Sequence, residues 1–153
     1  MYELAYQEAK RALEDQQNAV TEVRSRAGQL IAAAAITTSF FGAQAITAHH
    51  LHPASWIAII CFIALSLAVL VILWPRDDWE FSVSPADLIA TYIERTDDLS
   101  PDLATIHRDL ALHMNKSMLR NRHQLGLAFR AFRIGAVLLG AEVVAWVVAL
   151  IFH

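Results

Sequence analysis

Three long stretches of this chain are almost free of charged residues, and they lie at 27–48, 55–74 and 134–152. Each is long enough to cross a hydrocarbon core of roughly 30 Å as an α-helix. The third stretch holds one acid, Glu142, whose insertion penalty of about 3 kcal/mol can be offset by the apolar residues around it. The pattern predicts an all-α membrane protein with three spans.

Basic residues give the orientation of these spans. All 12 lysines and arginines lie in residues 1–26 and 76–133, and the connector 49–54 and the carboxyl terminus have none. Lys and Arg are retained on the cytoplasmic side of a membrane. The sequence therefore predicts a cytoplasmic amino terminus, an outside turn at 49–54, a cytoplasmic region at 75–133 and an outside carboxyl terminus.

Composition narrows the class of protein further. A hydrophobic content of 56% in 153 residues suits a small membrane protein with several spans. The net charge of −3, with acids scattered among the bases, argues against a nucleic acid duplex as the main partner. No combination of residues typical of a catalytic site or a cofactor site is evident, so we expect neither enzyme activity nor a cofactor.

Two long helices are predicted to reach from the membrane into the cytoplasm as a helical stalk. The first runs from about Glu3 to about Thr47, because apolar residues recur at alternating spacings of four and three. The second runs from about Pro101 to Ile151, after a Ser100-Pro101-Asp102 start signal, and a short helix is predicted from Ser84 to about Thr96. The seam of the first helix comprises Tyr2, Tyr6, Ala9, Leu13, Gln16, Val20, Val23, Ala27 and Leu30, and the second helix presents Leu103, Ile106, Leu110, Met114, Met118, Leu125, Ala128 and Phe132.

Glu142 is the foremost candidate for function, since acids inside membranes usually face a bundle interior or a water-filled path. It could line a pore or act as a protonation switch, or it could bond a Ser or Thr of the first span. Thr37, Gln44 and Thr47 form a sparse polar stripe on that span. The stripe is either a pore lining or a helix-packing surface.

Two further clusters of residues could either bind a ligand or have only a structural role. Lys116, Arg120 and Arg122 could contact an anionic ligand or acidic lipid headgroups, or they could form a solvated helix face. The histidines at positions 49, 50 and 52 could bind a metal ion or sense pH, but a polar interfacial turn is the favoured interpretation, and no metal site is predicted.

Several short motifs resemble the small membrane effectors of bacterial anti-phage systems, the SLATT and Pycsar-type transmembrane effector group. They are Arg24-Ser25-Arg26-Ala27-Gly28 before the first span, Trp74-Pro75 after the second, an Asp-rich segment with Tyr92, and the basic stretch from Lys116 to Arg122. The resemblance implies a bacterial inner-membrane protein whose Arg24, Arg26 and Gly28 set where the first span enters the membrane. It also implies membrane disruption or ion conduction by an oligomer, triggered by a nucleotide-type second messenger or by release from an inhibitory partner.

The sequence thus predicts an oligomeric, pore-forming membrane effector that is gated through its cytoplasmic helices. The alternative is a non-conducting, membrane-anchored interaction protein whose stalk recruits other proteins. The two hypotheses differ in whether the helical seam joins copies of this chain or joins it to a different partner.

Overall fold

A computed structural model of the chain describes residues 1–46, 52–75, 89 and 102–152. This part of the chain contains three α-helices, α1 at Tyr2–Ile46, α2 at Pro53–Leu73 and α3 at Leu103–Ile151, and no β-strand. The predicted all-α class and the two long helices are confirmed. Three residues named above, Thr47, His49 and His50, lie outside the described residues. The helix predicted at 84–96 also lies outside them, except for Ile89.

Residues at the two ends of α2 explain where this helix begins and ends. The ring Nδ1 of His52 accepts a hydrogen bond of 3.2 Å from the backbone N–H of Ala54, and Pro53 occupies the first helical position. At the other end, the N–H of Trp74 donates to the carbonyl of Leu70 at 2.8 Å, and Pro75 follows. His52 therefore serves as the amino-terminal cap of α2, which agrees with a polar turn.

The described residues fall into two compact units, and α1 and α3 contribute to both of them. Unit 1 comprises Met1–Val20 with the described residues of Arg76–Gly126, and unit 2 comprises the described residues of Thr21–Pro75 and Leu127–His153.

In unit 1, α1 and α3 run parallel. The rings of Tyr6 and His107 stack with centroids 5.3 Å apart, and the Gln16 side chain donates to the carbonyl of Met118 at 3.1 Å. Leu13 and Val20 of the predicted seam are buried, which agrees with a paired helix face.

The face of α3 in unit 1 agrees with the predicted one except at its start. Of the six predicted residues in this unit, Leu103 is exposed and the other five are half-buried. The buried positions of α3 in this unit are polar, Ser117 and Asn121. Both belong to the heptad rows that pass through Leu110 and Met114, so the helix keeps its seam register but fills part of the seam with polar side chains. The predicted face is therefore wrong at Leu103, and it is incomplete because it left out Ser117 and Asn121.

Unit 2 is a three-helix bundle in which α2 runs antiparallel to the other two helices. One core cluster joins the α1 residues Val23, Ala27 and Ala34 to Leu65, Val69 and Ile72 in the second half of α2. A second cluster joins Ala54 and Ala58, near the start of α2, to Ala145, Trp146 and Ala149, near the end of α3. Small residues at these contacts let the helices approach closely.

The helices α1 and α3 are also parallel in unit 2. Leu30 lies against Gly135, where a Cβ atom would come within 2.9 Å of the leucine Cδ2, and Gly42 lies against Trp146. The sequence offset between contacting residues is close to constant along this pair. Such an arrangement is typical of coiled-coil packing.

Two helices of the described residues, α2 and α3, are long and apolar enough to cross a membrane, and α1 is not among them. Two of the three predicted spans are therefore supported, and the span predicted at 27–48, whose last two residues lie outside the described part of the chain, is not. The part of α1 that begins at residue 27 contains polar residues among the apolar ones, and these lower its mean hydropathy. They are Gln29, Thr37, Thr38, Ser39 and Gln44.

The apolar surface of α2 and α3 faces mainly outward. Only 28% of the most apolar window of each helix is buried, whereas the core helix of a soluble protein is mostly buried. Exposed apolar residues include Trp56, Ile57, Ile60, Ile63, Leu67, Leu70, Ile134, Val137, Val144 and Ile151.

Candidate polar site in the helix bundle

Glu142 lies inside the bundle of unit 2, with 0% of its surface exposed. The hydroxyl of Thr38 donates a hydrogen bond of 2.5 Å to its Oε1 atom. The bond joins α3 to α1, as expected for the alternative in which the acid bonds a Ser or Thr of the first span. In this conformation the carboxyl does not face the surface of the chain, and its role in a pore or gate stays a prediction.

The second carboxyl oxygen of Glu142 and the indole nitrogen of Trp146 are both buried. Among the described residues, neither Oε2 of Glu142 nor Nε1 of Trp146 has a hydrogen-bond partner. The two residues are one helical turn apart on α3, and Trp146 is 2% exposed.

Opposite this turn of α3, one turn of α1 supplies complementary residues. Thr38 contacts Glu142, and a Cβ atom added to Gly42 would lie 3.7 Å from Cη2 and 3.9 Å from Cζ2 of Trp146. The four residues form a polar layer between α1 and α3, which we call the Glu142 layer. It consists of Thr38, Gly42, Glu142 and Trp146.

The predicted polar stripe on α1 does not converge on Glu142. Thr37 is half-buried and Gln44 is exposed, whereas Thr38 provides the hydrogen bond. Thr47 lies outside the described residues. The sequence alone does not identify Thr38 as the partner of Glu142. Which hydroxyl residue of α1 reaches the carboxyl depends on the register between two helices that are distant in sequence.

A second face of α1 in unit 2 is left uncovered by α2 and α3. It forms a shallow depression of about 670 Å³. Three small residues at spacing four, Ala35, Ser39 and Ala43, are exposed on it and do not pack inside the bundle. We call it the open face of α1, lined by Ala35, Ile36, Ser39, Phe40, Ala43 and Gln44.

The candidate anion-contact residues are exposed on α3 within unit 1. Lys116 and Arg120 are one turn apart and share a face, whereas Arg122 points to a different side of the helix because successive residues rotate by about 100°. A groove of about 560 Å³ in this unit is lined by Tyr2, Glu8, Arg108 and other residues, but not by the three predicted basic residues. The structure therefore does not bring the three basic residues together.

The residues predicted to mark where α1 enters the membrane lie on a regular helix in unit 2. Arg26 forms an ion pair with Glu22 one turn earlier, and Arg24 is half-buried. A Cβ atom added to Gly28 would meet nothing within 4 Å. Gly28 is therefore not required by a close helix contact among the described residues.

Candidate metal ligands are not clustered in the described part of the chain. Groups of three or more His, Cys, Asp or Glu residues suited to a metal ion do not occur there. No family model, curated protein or solved structure matches the chain. Its function is therefore inferred from the geometry of its own residues.

Proposed function

We propose that this chain is an oligomeric membrane effector that forms a pore and is gated through its cytoplasmic helices. The single observation that carries the proposal is the Glu142 layer, a buried carboxyl hydrogen-bonded across two parallel helices in a bundle whose outer surface is apolar. Ionisable residues at such positions are expensive, and in membrane proteins they commonly belong to ion paths or switches.

Three spans are proposed, with α1 crossing the membrane beside α3. The helix α1 is less apolar, but Leu30, Thr38 and Gly42 contact the apolar part of α3 in a constant register. If α3 crosses the bilayer, the α1 segment packed along it lies at the same depth. Its hydroxyl and amide groups would then face other helices instead of lipid.

The proposed orientation follows the distribution of basic residues, with a cytoplasmic amino terminus and an outside carboxyl terminus. The parallel direction of α1 and α3 supports this proposal, since the first and third spans of a three-span protein cross in the same direction. The location proposed is the bacterial inner membrane, and the proposed role in anti-phage defence rests on the resemblance described above.

Association of several copies is proposed to occur through the open face of α1. Its Ala35, Ser39 and Ala43 recur at spacing four, a pattern that lets helices approach closely inside membranes. Thr37 and Gln44 lie on the same helix and are candidates to contact the conducting path. Because Glu142 is enclosed by its own chain, we propose that it controls gating by holding α1 to α3.

The activating signal is proposed to act on unit 1, through a nucleotide-type second messenger or the release of an inhibitory partner. The polar seam of that unit supports a regulated helix pair, since buried polar residues fix register at some expense of stability. Lys116, Arg120 and Arg122 are exposed there and could contact an anionic signal or lipid headgroups.

Current recordings from purified protein in planar bilayers test this function. Glu142→Gln keeps the side-chain volume but removes the ionisable group, so we expect altered opening relative to the wild type. Glu14→Gln changes an exposed acid of unit 1 and is the matched control, with currents expected to stay unchanged. Silence of the wild type under every candidate trigger, or equal currents in the wild type and Glu142→Gln, would contradict the proposal.

A second candidate function is that of a non-conducting, membrane-anchored interaction protein. The enclosure of Glu142 favours it, because a bonded carboxyl inside a single chain also serves plain helix packing. Crosslinking in cells distinguishes the two functions. Adducts with other proteins, and none between copies of this chain, would favour the anchor.

A further inference from the structure

We propose that Arg130 and Arg133 of α3 form a binding site for the headgroup phosphate of an anionic phospholipid. Both arginines belong to unit 2, and they are separate from the Glu142 layer and from the open face of α1. The proposal rests on the proposed function only in that α3 crosses a bilayer.

One outer face of α3 has arginines at one end and apolar side chains along the rest. Arg130, Val137, Val144 and Ile151 recur every seven residues, close to two helical turns, so they share this face. Arg133 lies one turn after Arg130 on the same side. The three apolar residues are 73%, 62% and 69% exposed, so the face lies on the outside of unit 2.

The apolar part of this face is as long as a bilayer core is thick. Arg133 and Ile151 are 18 residues apart on α3, or about 27 Å at 1.5 Å per residue. The hydrocarbon core of a bilayer is about 30 Å thick. With the apolar part of the face in that core, the two arginines lie at the depth of the lipid headgroups.

Two tryptophans of α2 indicate the same boundary. Trp56 and Trp74 are 57% and 58% exposed, and 18 residues, or five helical turns, place them on one side of α2. Tryptophan is enriched where the membrane core meets the headgroups. Because α2 begins beside the end of α3, its own end with Trp74 lies toward the arginines of α3.

Acids of unit 2 leave the two arginines without a counter-charge. The described residues of this unit contain two acids, Glu22 and Glu142. Glu22 pairs with Arg26, and Glu142 is enclosed in the bundle about 13 Å further along α3 than Arg133. Neither of these acids neutralises Arg130 or Arg133, so the site has two positive charges.

The chemistry of the site favours an anionic phospholipid over a zwitterionic one. A guanidinium group binds a phosphate through two parallel hydrogen bonds, and two guanidinium groups one turn apart can share one headgroup. Phosphatidylcholine has a quaternary ammonium group beside its phosphate, whereas phosphatidylglycerol has no cation. Basic residues at the membrane surface attract anionic lipids for this reason.

Native mass spectrometry of the full chain in detergent, titrated with phosphatidylglycerol or phosphatidylcholine, counts the bound lipids and gives their affinities. Arg130→Gln with Arg133→Gln removes both charges at exposed positions and keeps polar side chains. Lys10→Gln with Arg11→Gln is the matched control. It also removes two positive charges, from exposed ion pairs of unit 1.

We expect the wild type and the control to bind phosphatidylglycerol more tightly than phosphatidylcholine. The Arg130→Gln, Arg133→Gln variant should lose about fivefold in affinity for phosphatidylglycerol per arginine removed. Equal binding of the two lipids by the wild type, a retained preference in this variant, or an equal loss in the control would overturn the proposal. Displacement of phosphatidylglycerol by an equal concentration of inorganic phosphate would also overturn it, because the site would then bind a free anion.

Currents recorded in planar bilayers from the same protein keep this test separate from the proposed function. A preference for phosphatidylglycerol that depends on Arg130 and Arg133, in a protein that never conducts, supports the lipid site and removes the pore. A conducting protein without this preference overturns the lipid site and leaves the pore standing.

Discussion

At the scale of single residues, the hydrogen bond between Thr38 and Glu142 joins α1 to α3. A carboxyl enclosed in a helix bundle is shielded from bulk solvent, so each hydrogen bond that it receives matters more than at a surface. The Thr38 hydroxyl supplies one such bond from a different helix. Without this bond, Oε1 of Glu142 would lack a partner among the described residues, as Oε2 does, and the contact between α1 and α3 would be weaker.

Thr38→Val should destabilise the bundle, because valine keeps the shape of threonine but cannot donate a hydrogen bond. Interhelical hydrogen bonds in membrane proteins contribute about 1 kcal/mol, and we expect a loss of that order in the free energy of unfolding. Unfolding in mixed detergent micelles measures it. Thr37→Val is the control, since Thr37 does not bond the carboxyl, and an equal loss in both variants would show that the Thr38 bond contributes nothing specific.

Two glycines of α3 should respond in opposite ways to substitution by alanine. Alanine at an open helical position stabilises a helix by about 0.8–1.0 kcal/mol relative to glycine, and Gly140 faces open space. At Gly135 the added Cβ would lie 2.9 Å from Cδ2 of Leu30, so the leucine must shift. Unfolding measurements should find Gly140→Ala more stable than the wild type and Gly135→Ala not; equal stabilisation would contradict the α1–α3 contact.

At the scale of elements, the long helices were predictable and their partners were not. The spacing of apolar residues from Tyr2 onward predicts α1 nearly to its observed end at Ile46, and the absence of proline after Pro101 predicts α3. The polar seam residues Ser117 and Asn121 escaped prediction because a search for apolar periodicity passes over polar residues in the same register.

The Glu142 layer could be predicted only in part. Glu142 stands out in the sequence because it is the one acid in an apolar stretch, and the bond from a hydroxyl residue of the first span was one of two expectations. The identity of that residue, and the roles of Gly42 and Trp146, depend on the register between helices. Small differences in packing determine that register, and a single sequence does not reveal them.

The seam of unit 1 should depend on Leu13 far more than on a leucine outside it. Leu13 is 4% exposed on the seam of α1, whereas Leu119 is 56% exposed in the same unit. Buried Leu→Ala substitutions remove about 2–5 kcal/mol of stability, and exposed ones remove little. Amide hydrogen exchange of residues 1–20 and 103–126 should speed up strongly in Leu13→Ala; the same response in Leu119→Ala would contradict the assignment of the seam.

At the scale of the whole molecule, the exposed apolar residues and the open face of α1 have to be covered by lipid or by other protein. Contiguous apolar surface on α2 and α3 suits lipid, while the small and polar residues of the open face suit a second copy of the chain. A pore lined by subunits requires that several copies assemble around one axis. The proposed pore therefore requires a fixed number of copies, and that number is greater than one.

The particle mass of the purified protein in lipid nanodiscs shows how many copies of the chain assemble. Native mass spectrometry counts the copies in each particle without requiring the activating signal. We expect one discrete multimer of several copies, and Ser39→Leu, which fills the open face, should reduce the copy number. A stable monomer across the range of lipid and protein concentrations would contradict a pore formed by subunits of this chain.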